Sequence, residues 1–402
     1  MRGLSRDTLT TRLAFLVALI LPALTAAGCR NAPTRPSPPM PGGDDRFVER
    51  AWTDGWRRLR LEVRGRVELT DDERDVKDLS PNGHFELSSH GWLSLGGGPR
   101  YVVRRGADGA LSRRFTVSGR ERPIDAAARE WIGDEIQRLV SRGFNADERV
   151  ARILAQRGAG GVLDAIPGLP GDFVKAQYYT LLFEQGIPAG PTAQRTLQSV
   201  SRNIRSDHER ARVLIAFVRA VMVDEAIAPA FVDATTSIAS DFEHARVLKT
   251  LLTGPGATPA APRAALLSGR VLRSDFEKGR VLTEIVQSDG VNGSTRDLFF
   301  DVVRTMRSDF ERGRVLSALA RQDGLERDVV VGLVRATAGM GSDFEKARVL
   351  LQVIAVQPLE DGTKQALLDT AGQMGSDHER GRVLSALFRR PAATPSAAPD
   401  LH

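Results

Sequence analysis

The chain has 402 residues, 42% of them apolar and 26% charged, which is the composition of a folded protein with room for several domains or a repeat array. Its formal net charge is only +6, and its many Arg residues are interleaved with Asp and Glu rather than gathered in one block. This distribution argues against a nucleic acid as the partner.

The first 28 residues are predicted to be an export signal. Several Arg residues precede the apolar run LAFLVALILPAL at 13–24, which is too short for a membrane-spanning helix. The AAGC that follows resembles the lipobox of bacterial lipoproteins, and this resemblance implies that Cys29 carries a lipid. The alternative is a simple cleavable signal peptide with an incidental Cys. Because Cys29 is the single Cys of the chain, an internal disulfide is excluded.

The predicted lipid anchor would hold the mature chain on the extracytoplasmic side of a membrane. Arg30, rather than Asp, follows Cys29, and by the same resemblance this implies sorting to the outer membrane, facing the periplasm. Residues 29–46 are rich in Pro and show no apolar period, so they are predicted to form an extended linker.

Residues 47–123 are predicted to form a small antiparallel β domain. Leu and Val alternate with charged residues in LRLEVRGRVEL (59–69), and the turn GADG (106–109) separates two segments with strand character. These patterns favour about four to six strands with one polar face. The amphipathic segment at 124–144 is predicted to be a helix that either covers the sheet or begins the next module.

A nonapeptide of the type SDFEKARVL occurs six times in the second half of the chain. Its opening serines follow one another at steps of 34 residues: Ser206, Ser240, Ser274, Ser308, Ser342 and Ser376. Looser copies open at Gly171 and near Asn145, so seven or eight repeats are predicted over 145–390. A disordered tail is predicted at 391–402.

Two helices with apolar faces fit into each 34-residue unit, which predicts an αα-solenoid. The expected fold is therefore α+β and multidomain, with the small antiparallel β domain followed by the solenoid. Such an array offers an extended surface, and an unknown protein or peptide is the expected partner.

Within a unit, positions are counted from the opening Ser as position 0. Ser342 and Glu345 have the spacing of a capping box, in which each side chain takes the backbone amide of the other residue. The apolar positions 2, 5 and 8, as in Phe344, Ala347 and Leu350, are predicted to form one packing stripe. Position 5 is always Ala or Gly, which suggests that the backbone of another helix passes close to it.

Two charged positions recur in all six units. The Asp at position 1 is expected near the seam between repeats: Asp207, Asp241, Asp275, Asp309, Asp343 and Asp377. The Arg at position 6 is expected to meet an acid, either the Glu three residues earlier or an Asp of an adjacent unit: Arg212, Arg246, Arg280, Arg314, Arg348 and Arg382. Such a ladder either sets the repeat register or forms a groove for an acidic or extended peptide.

The repeat resembles HEAT or armadillo units more than tetratricopeptides, since the Trp, Leu-Gly and Tyr positions of the latter are missing. The order DLSPNGHFEL, RRFTVSGRERPID and then SDFEKARVL units resembles the extracytoplasmic region of some relatives of BlaR-type sensor metallopeptidases. This resemblance implies a location and a shape but no peptidase activity. The nearest matches to HExxH are HERAR and HERGR, in which Arg212 and Arg382 replace the second His.

The sequence predicts no catalytic residue, cofactor or metal site. His84 and His90 could approach each other across strands, but no Cys or acidic pair stands beside them at the spacing of zinc ligands. Phosphate-binding and nucleophile motifs are also missing. The hypothesis is a non-enzymatic, membrane-anchored extracytoplasmic scaffold or protein-binding protein. An accessory or sensor subunit in cell-envelope signalling and an envelope hydrolase with an unrecognised site are the alternatives.

Overall fold

The computed structural model describes residues 47–54, 57–91, 97–186, 190–288 and 290–390. The predicted export signal, Cys29, the linker and the C-terminal tail lie outside the described residues. Among the described helices, none combines the length and the apolar character that crossing a membrane requires.

Residues 47–122 contain antiparallel strands, as their two-residue apolar period predicts. The strands are β1 (Phe47–Asp54), β2 (Arg57–Arg64), β3 (Val67–Leu69), β4 (Val76–Leu79), β5 (His84–Gly91), β6 (Pro99–Arg105), β7 (Leu111–Val117) and β8 (Arg120–Arg122). Six of them form one sheet in the order β1-β2-β5-β6-β7-β8, while β3 and β4 pair separately. Leu59, Leu61 and Val63 are buried on one face of the sheet.

Helix α1 (Ala126–Ser141) covers this apolar face of the sheet. Its side chains Ile132, Ile136 and Leu139 belong to the same buried cluster as Phe85 of β5. The carboxylate of Asp125 accepts the amide of Ala128 at 2.9 Å and so caps the helix start. Of the two roles left open by the sequence, the structure therefore gives α1 the first.

The rest of the described chain is helical, and its helices alternate between two layers. They are α2 (Ala146–Ala165), α3 (Asp172–Glu184), α4 (Pro191–Asn203), α5 (Asp207–Ala220), α6 (Ala228–Thr236), α7 (Asp241–Thr253), α8 (Ala261–Gly269), α9 (Asp275–Gln287), α10 (Arg296–Arg304), α11 (Asp309–Ala320), α12 (Arg327–Ala338), α13 (Asp343–Val356), α14 (Asp361–Gly372) and α15 (Asp377–Arg389). A backbone break at Gly158, with φ of 65°, divides α2 in two.

The odd-numbered helices from α3 to α15, here called the A helices, each begin with the repeated motif and pack on one another in sequence. The even-numbered helices from α4 to α14, the B helices, do the same in a second layer. One continuous apolar cluster runs through both layers from Ala146 to Leu387. The predicted αα-solenoid is thereby confirmed, because each unit buries its apolar faces against its neighbours.

The sheet and the solenoid meet through charged side chains. The carboxylate of Glu73 lies 2.9 Å from Arg149 Nε and 2.6 Å from Arg152 Nη2, both on α2. A cavity of about 240 Å³ beside these residues is also lined by Glu68 and Lys77, which form a 2.6 Å ion pair. The charged lining is therefore largely engaged in holding the sheet against the first repeat.

A buried imidazole interrupts the apolar core of the third strict interface between A and B helices. His244 Nε2 lies 2.7 Å from Ser268 Oγ, which in turn lies 2.7 Å from Thr235 Oγ1. Burial lowers the pKa of His244 to about 4, and the nearby charge of Asp241 opposes this shift only in part. Because the folded pKa is depressed, the folded state favours the neutral ring.

We expect the solenoid to lose stability on acidification through His244. The group favours folding above the unfolded pKa of about 6.5, and this contribution is lost as the pH falls towards 4, by about 2 kcal/mol at pH 5. His244→Gln should reduce the loss of hydrogen-exchange protection in α7 and α8 between pH 8 and pH 5. His208→Gln, which alters an exposed ring, serves as the control. An equal acid loss in wild type and His244→Gln would contradict the prediction.

Candidate functional site

Each A helix begins with a cap that differs from the predicted capping box in one half. The hydroxyl of Ser342 accepts the amide of Glu345 at 3.3 Å, as expected. The amide of Ser342, however, donates to Asp309 Oδ2 of the preceding unit at 2.7 Å. The reciprocal bond from Glu345 is therefore replaced by a bond between repeats, and the Glu carboxylate is left for another partner.

The Asp at position 1 makes this bond to the next unit throughout the array. Asp309 Oδ2 also accepts the amide of Gly341 at 2.7 Å, so one carboxylate takes two amides at the start of α13. The amide of Ser376 lowers the pKa of Asp343 in the same way. The equivalent acceptors for the next unit's Ser amide are Asp172, Asp207, Asp241 and Asp275, at 2.6–2.8 Å. We call this contact the Asp staple.

The basic residue at position 4, whose role the sequence left unassigned, bridges the loops before its own helix and before the next A helix. Arg312 Nη1 donates to Gly339 O at 2.9 Å, and its Nη2 donates to Met306 O. Lys278 Nζ donates to Thr305 Oγ1 at 2.8 Å, in a loop equivalent to that of Gly339. These bonds satisfy groups at the ends of the B helices. Together with the Asp staple they fix the register of adjacent units.

Each Arg at position 6 pairs with the Glu three residues earlier in its own helix, the first of the two partners considered from sequence. The pairs have N–O distances of 2.5–2.9 Å and are Arg212–Glu209, Arg246–Glu243, Arg280–Glu277, Arg314–Glu311, Arg348–Glu345 and Arg382–Glu379. None of these contacts involves the Asp of position 1. The Arg row is thus neutralised in place, which weakens its role as an open site for an acidic ligand.

The small residue at position 5 accommodates this ion pair, not a helix backbone as the sequence suggested. A Cβ added to Gly313 would lie 2.6 Å from Glu345 Oε2 and 2.9 Å from Arg348 Nη2. Gly279 stands in the same relation to the pair of Glu311 and Arg314. Gly381, in the last unit, has no such neighbour within 4 Å. The Glu–Arg pair of one unit therefore rests on the helix of the unit before it.

The prediction that position 2 belongs to the packing stripe is wrong. Its phenylalanines are between 42% and 59% exposed, whereas Leu350 and Ala347 are fully buried. Position 2 lies about 120° around the helix from position 8, and the neighbouring units cover the opposite side of that arc. The exposed side chains, here called the Phe row, are Phe173, Phe242, Phe276, Phe310 and Phe344.

Guanidinium groups of the Arg row lie near the rings of the Phe row. Arg212 is 5.0 Å from the ring centre of Phe173, and Arg348 is 5.7 Å from that of Phe310, in both cases across a repeat boundary. His208 occupies position 2 of its own unit, with Nδ1 3.1 Å from Glu243 Oε1. The A-helix face thus presents one aromatic ring per unit beside a charge-balanced Arg–Glu pair.

The other chemistry considered from sequence finds no support in the described residues. No group of three or more His, Cys, Asp or Glu side chains there is arranged to hold a metal ion. His84 and His90 lie on the same strand, β5, so they are separated by about 20 Å of extended backbone and do not face each other across strands. The Phe row is therefore the feature that packing leaves unexplained.

Comparison of the chain with protein-family models, with curated proteins and with solved structures found no match. The resemblances to HEAT or armadillo units and to BlaR-type relatives therefore stay expectations from sequence. Function has to be argued from the geometry of the described residues.

Removing one Asp staple should loosen the array locally. Asp309→Ala deletes two charge-assisted hydrogen bonds to the start of α13, and we expect a loss of about 2–3 kcal/mol in local stability. Hydrogen exchange of the amides in α13 and α14 measures it. Asp377→Ala is the matched control, because its side chain is 87% exposed and no described helix follows α15. Similar effects of the two substitutions would show that the inter-repeat bonds contribute little.

Proposed function

We propose that this protein is a non-enzymatic scaffold or protein-binding protein that holds a partner on the A-helix face of its solenoid. One observation carries the proposal: the Phe row exposes five aromatic side chains at one repeat position, whereas the other apolar positions of the motif are buried. Isolated exposed apolar residues are ordinary, but a repeated line of them along one surface is typical of an interaction site.

The composition of this face suits a protein interface. Aromatic and Arg side chains are enriched at the energetically dominant positions of such interfaces, and an Arg row runs beside the Phe row. Covering one exposed Phe side chain contributes about 1.5–3 kcal/mol at most. Several rows of contact from consecutive units are therefore enough for stable binding without any polar specificity site.

The Phe row should be dispensable for folding. Phe310→Ser removes a side chain that is 57% exposed, so we expect the free energy of unfolding to change by less than about 1 kcal/mol. Phe300→Ala, which truncates a ring only 4% exposed, should cost about 3–5 kcal/mol. Denaturant unfolding compares the two variants. A comparably large loss in Phe310→Ser would show that the row has a packing role and would remove the basis of the proposal.

Partner contact can be mapped in the native cells by photo-crosslinking. A benzoylphenylalanine placed at Phe276 or Phe310 should give a discrete adduct with another protein. The same probe at Phe388, which is 75% exposed but lies on the last helix outside the row, is the control. Adducts of equal yield at all three positions, or none from the row, would refute binding through the A-helix face.

We further propose that the partner is met outside the cytoplasm, with the chain attached to a membrane by a lipid on Cys29. This part of the proposal is supported by the apolar run at 13–24 and the AAGC that follows it. Cys29→Ala should move the protein from the membrane to the soluble fraction or leave it unprocessed. Separation of cell membranes from soluble protein by centrifugation, followed by immunoblotting, measures the change. Unaltered membrane association of Cys29→Ala would contradict lipid anchoring.

A further inference from the structure

The spacing of the Phe row narrows the chemistry of its occupant. We propose that the row binds a Pro-rich segment of another protein in the polyproline II conformation, with a Pro or other apolar residue at every third position. This inference rests on the proposed function, since it names the class of ligand for the same face. The argument comes from the step between rings, from their exposure and from the charge of the surface around them.

The step between consecutive rings is the step between consecutive A helices. Adjacent A helices are in direct contact, and packed helices lie about 8–10 Å apart. Polyproline II has three residues per turn and rises about 3.1 Å per residue, so the same face returns every ~9.3 Å. One turn of such a ligand therefore advances by one solenoid unit, and each third side chain meets the next ring.

Other regular conformations fit this step less well. A β-strand presents every second side chain to the same face, which is a step of about 6.6–6.8 Å. An amphipathic α-helix returns its face after seven residues, about 10.5 Å, and the mismatch grows with each unit. The Phe row also lies on separate helices, so it offers neither a strand edge nor its row of free amides.

The charge of the face favours an uncharged ligand. Each Arg beside the row is paired with a Glu of its own helix, as in Arg280–Glu277 at 2.8 Å and Arg314–Glu311 at 2.7 Å. Lines of aromatic rings are the surfaces on which Pro-rich segments dock, because the preformed ligand loses little conformational freedom. The affinity should therefore depend on the rings and only weakly on salt.

Fluorescence anisotropy with labelled 15-residue peptides tests the inference on the full-length protein in detergent. One peptide has five prolines at steps of three among Ala and Ser, and a second has the same residues with prolines at alternating steps of two and four. We expect the first to bind at least tenfold more tightly. Equal affinities of the two peptides would overturn the three-residue match. A heptad-patterned helical peptide that outcompetes both would replace the proposed ligand class.

Variants of the row connect binding to the rings. Phe276→Ser combined with Phe310→Ser should weaken the period-three peptide on the order of 100-fold, tenfold for each ring. Phe388→Ser and Met222→Ser, which alter exposed apolar side chains outside the row, should leave the affinity within about twofold. Circular dichroism verifies that the double variant is folded. Unchanged binding by the folded double variant would place the peptide elsewhere and overturn the inference.

The chain itself contains prolines at this spacing, at Pro33, Pro36 and Pro39. If this segment were the occupant, deleting 33–41 would strengthen binding of the period-three peptide more than tenfold, which would overturn the assignment to another protein. An unchanged affinity supports that assignment. Adducts from Phe310 in cells without any period-three binding would overturn the ligand class alone. Absence of both adducts and peptide binding would overturn the proposed function as well.

Discussion

The solenoid depends on one contact, the bond from the Asp of each motif to the backbone amide that starts the next A helix. The Asp309 carboxylate takes the amides of Gly341 and Ser342, so it serves as a cap supplied by the neighbouring repeat. A helix start that is capped from outside is correct only when the two units have one relative position. This requirement explains why the Ser-Asp pair is repeated with a constant step of 34 residues.

The same bond decides what the other motif residues do. Because the Asp occupies the amide of Ser342, the Glu345 carboxylate is released from capping and pairs with Arg348 at 2.6 Å. That pair needs room on the preceding helix, which Gly313 provides. Register, ion pair and small residue are thus three consequences of a single arrangement, and together they account for the charged part of the motif without a ligand.

Much of the architecture could be predicted because it is written in periods: two residues for the strands and 34 for the paired helices. What could not be predicted depends on neighbours in space. A helical wheel shows that Phe344 and Leu350 are apolar, but it does not show which arc the adjacent units cover. The sequence around Ser342 likewise fits a local capping box, since nothing within that motif reveals the carboxylate arriving from Asp309.

The remaining question is why position 2 carries Phe. His208 occupies this position in one unit, and the helix that follows it starts with the same Ser206 cap and the same staple from Asp172 as the others. His378 does so in the last unit, after the cap of Ser376. A repeat therefore forms without an aromatic ring there, so the exposed rings are not required for stacking. Their cost in exposed apolar surface is offset only when something covers them, and the spacing of one ring per unit sets the shape of what can do so.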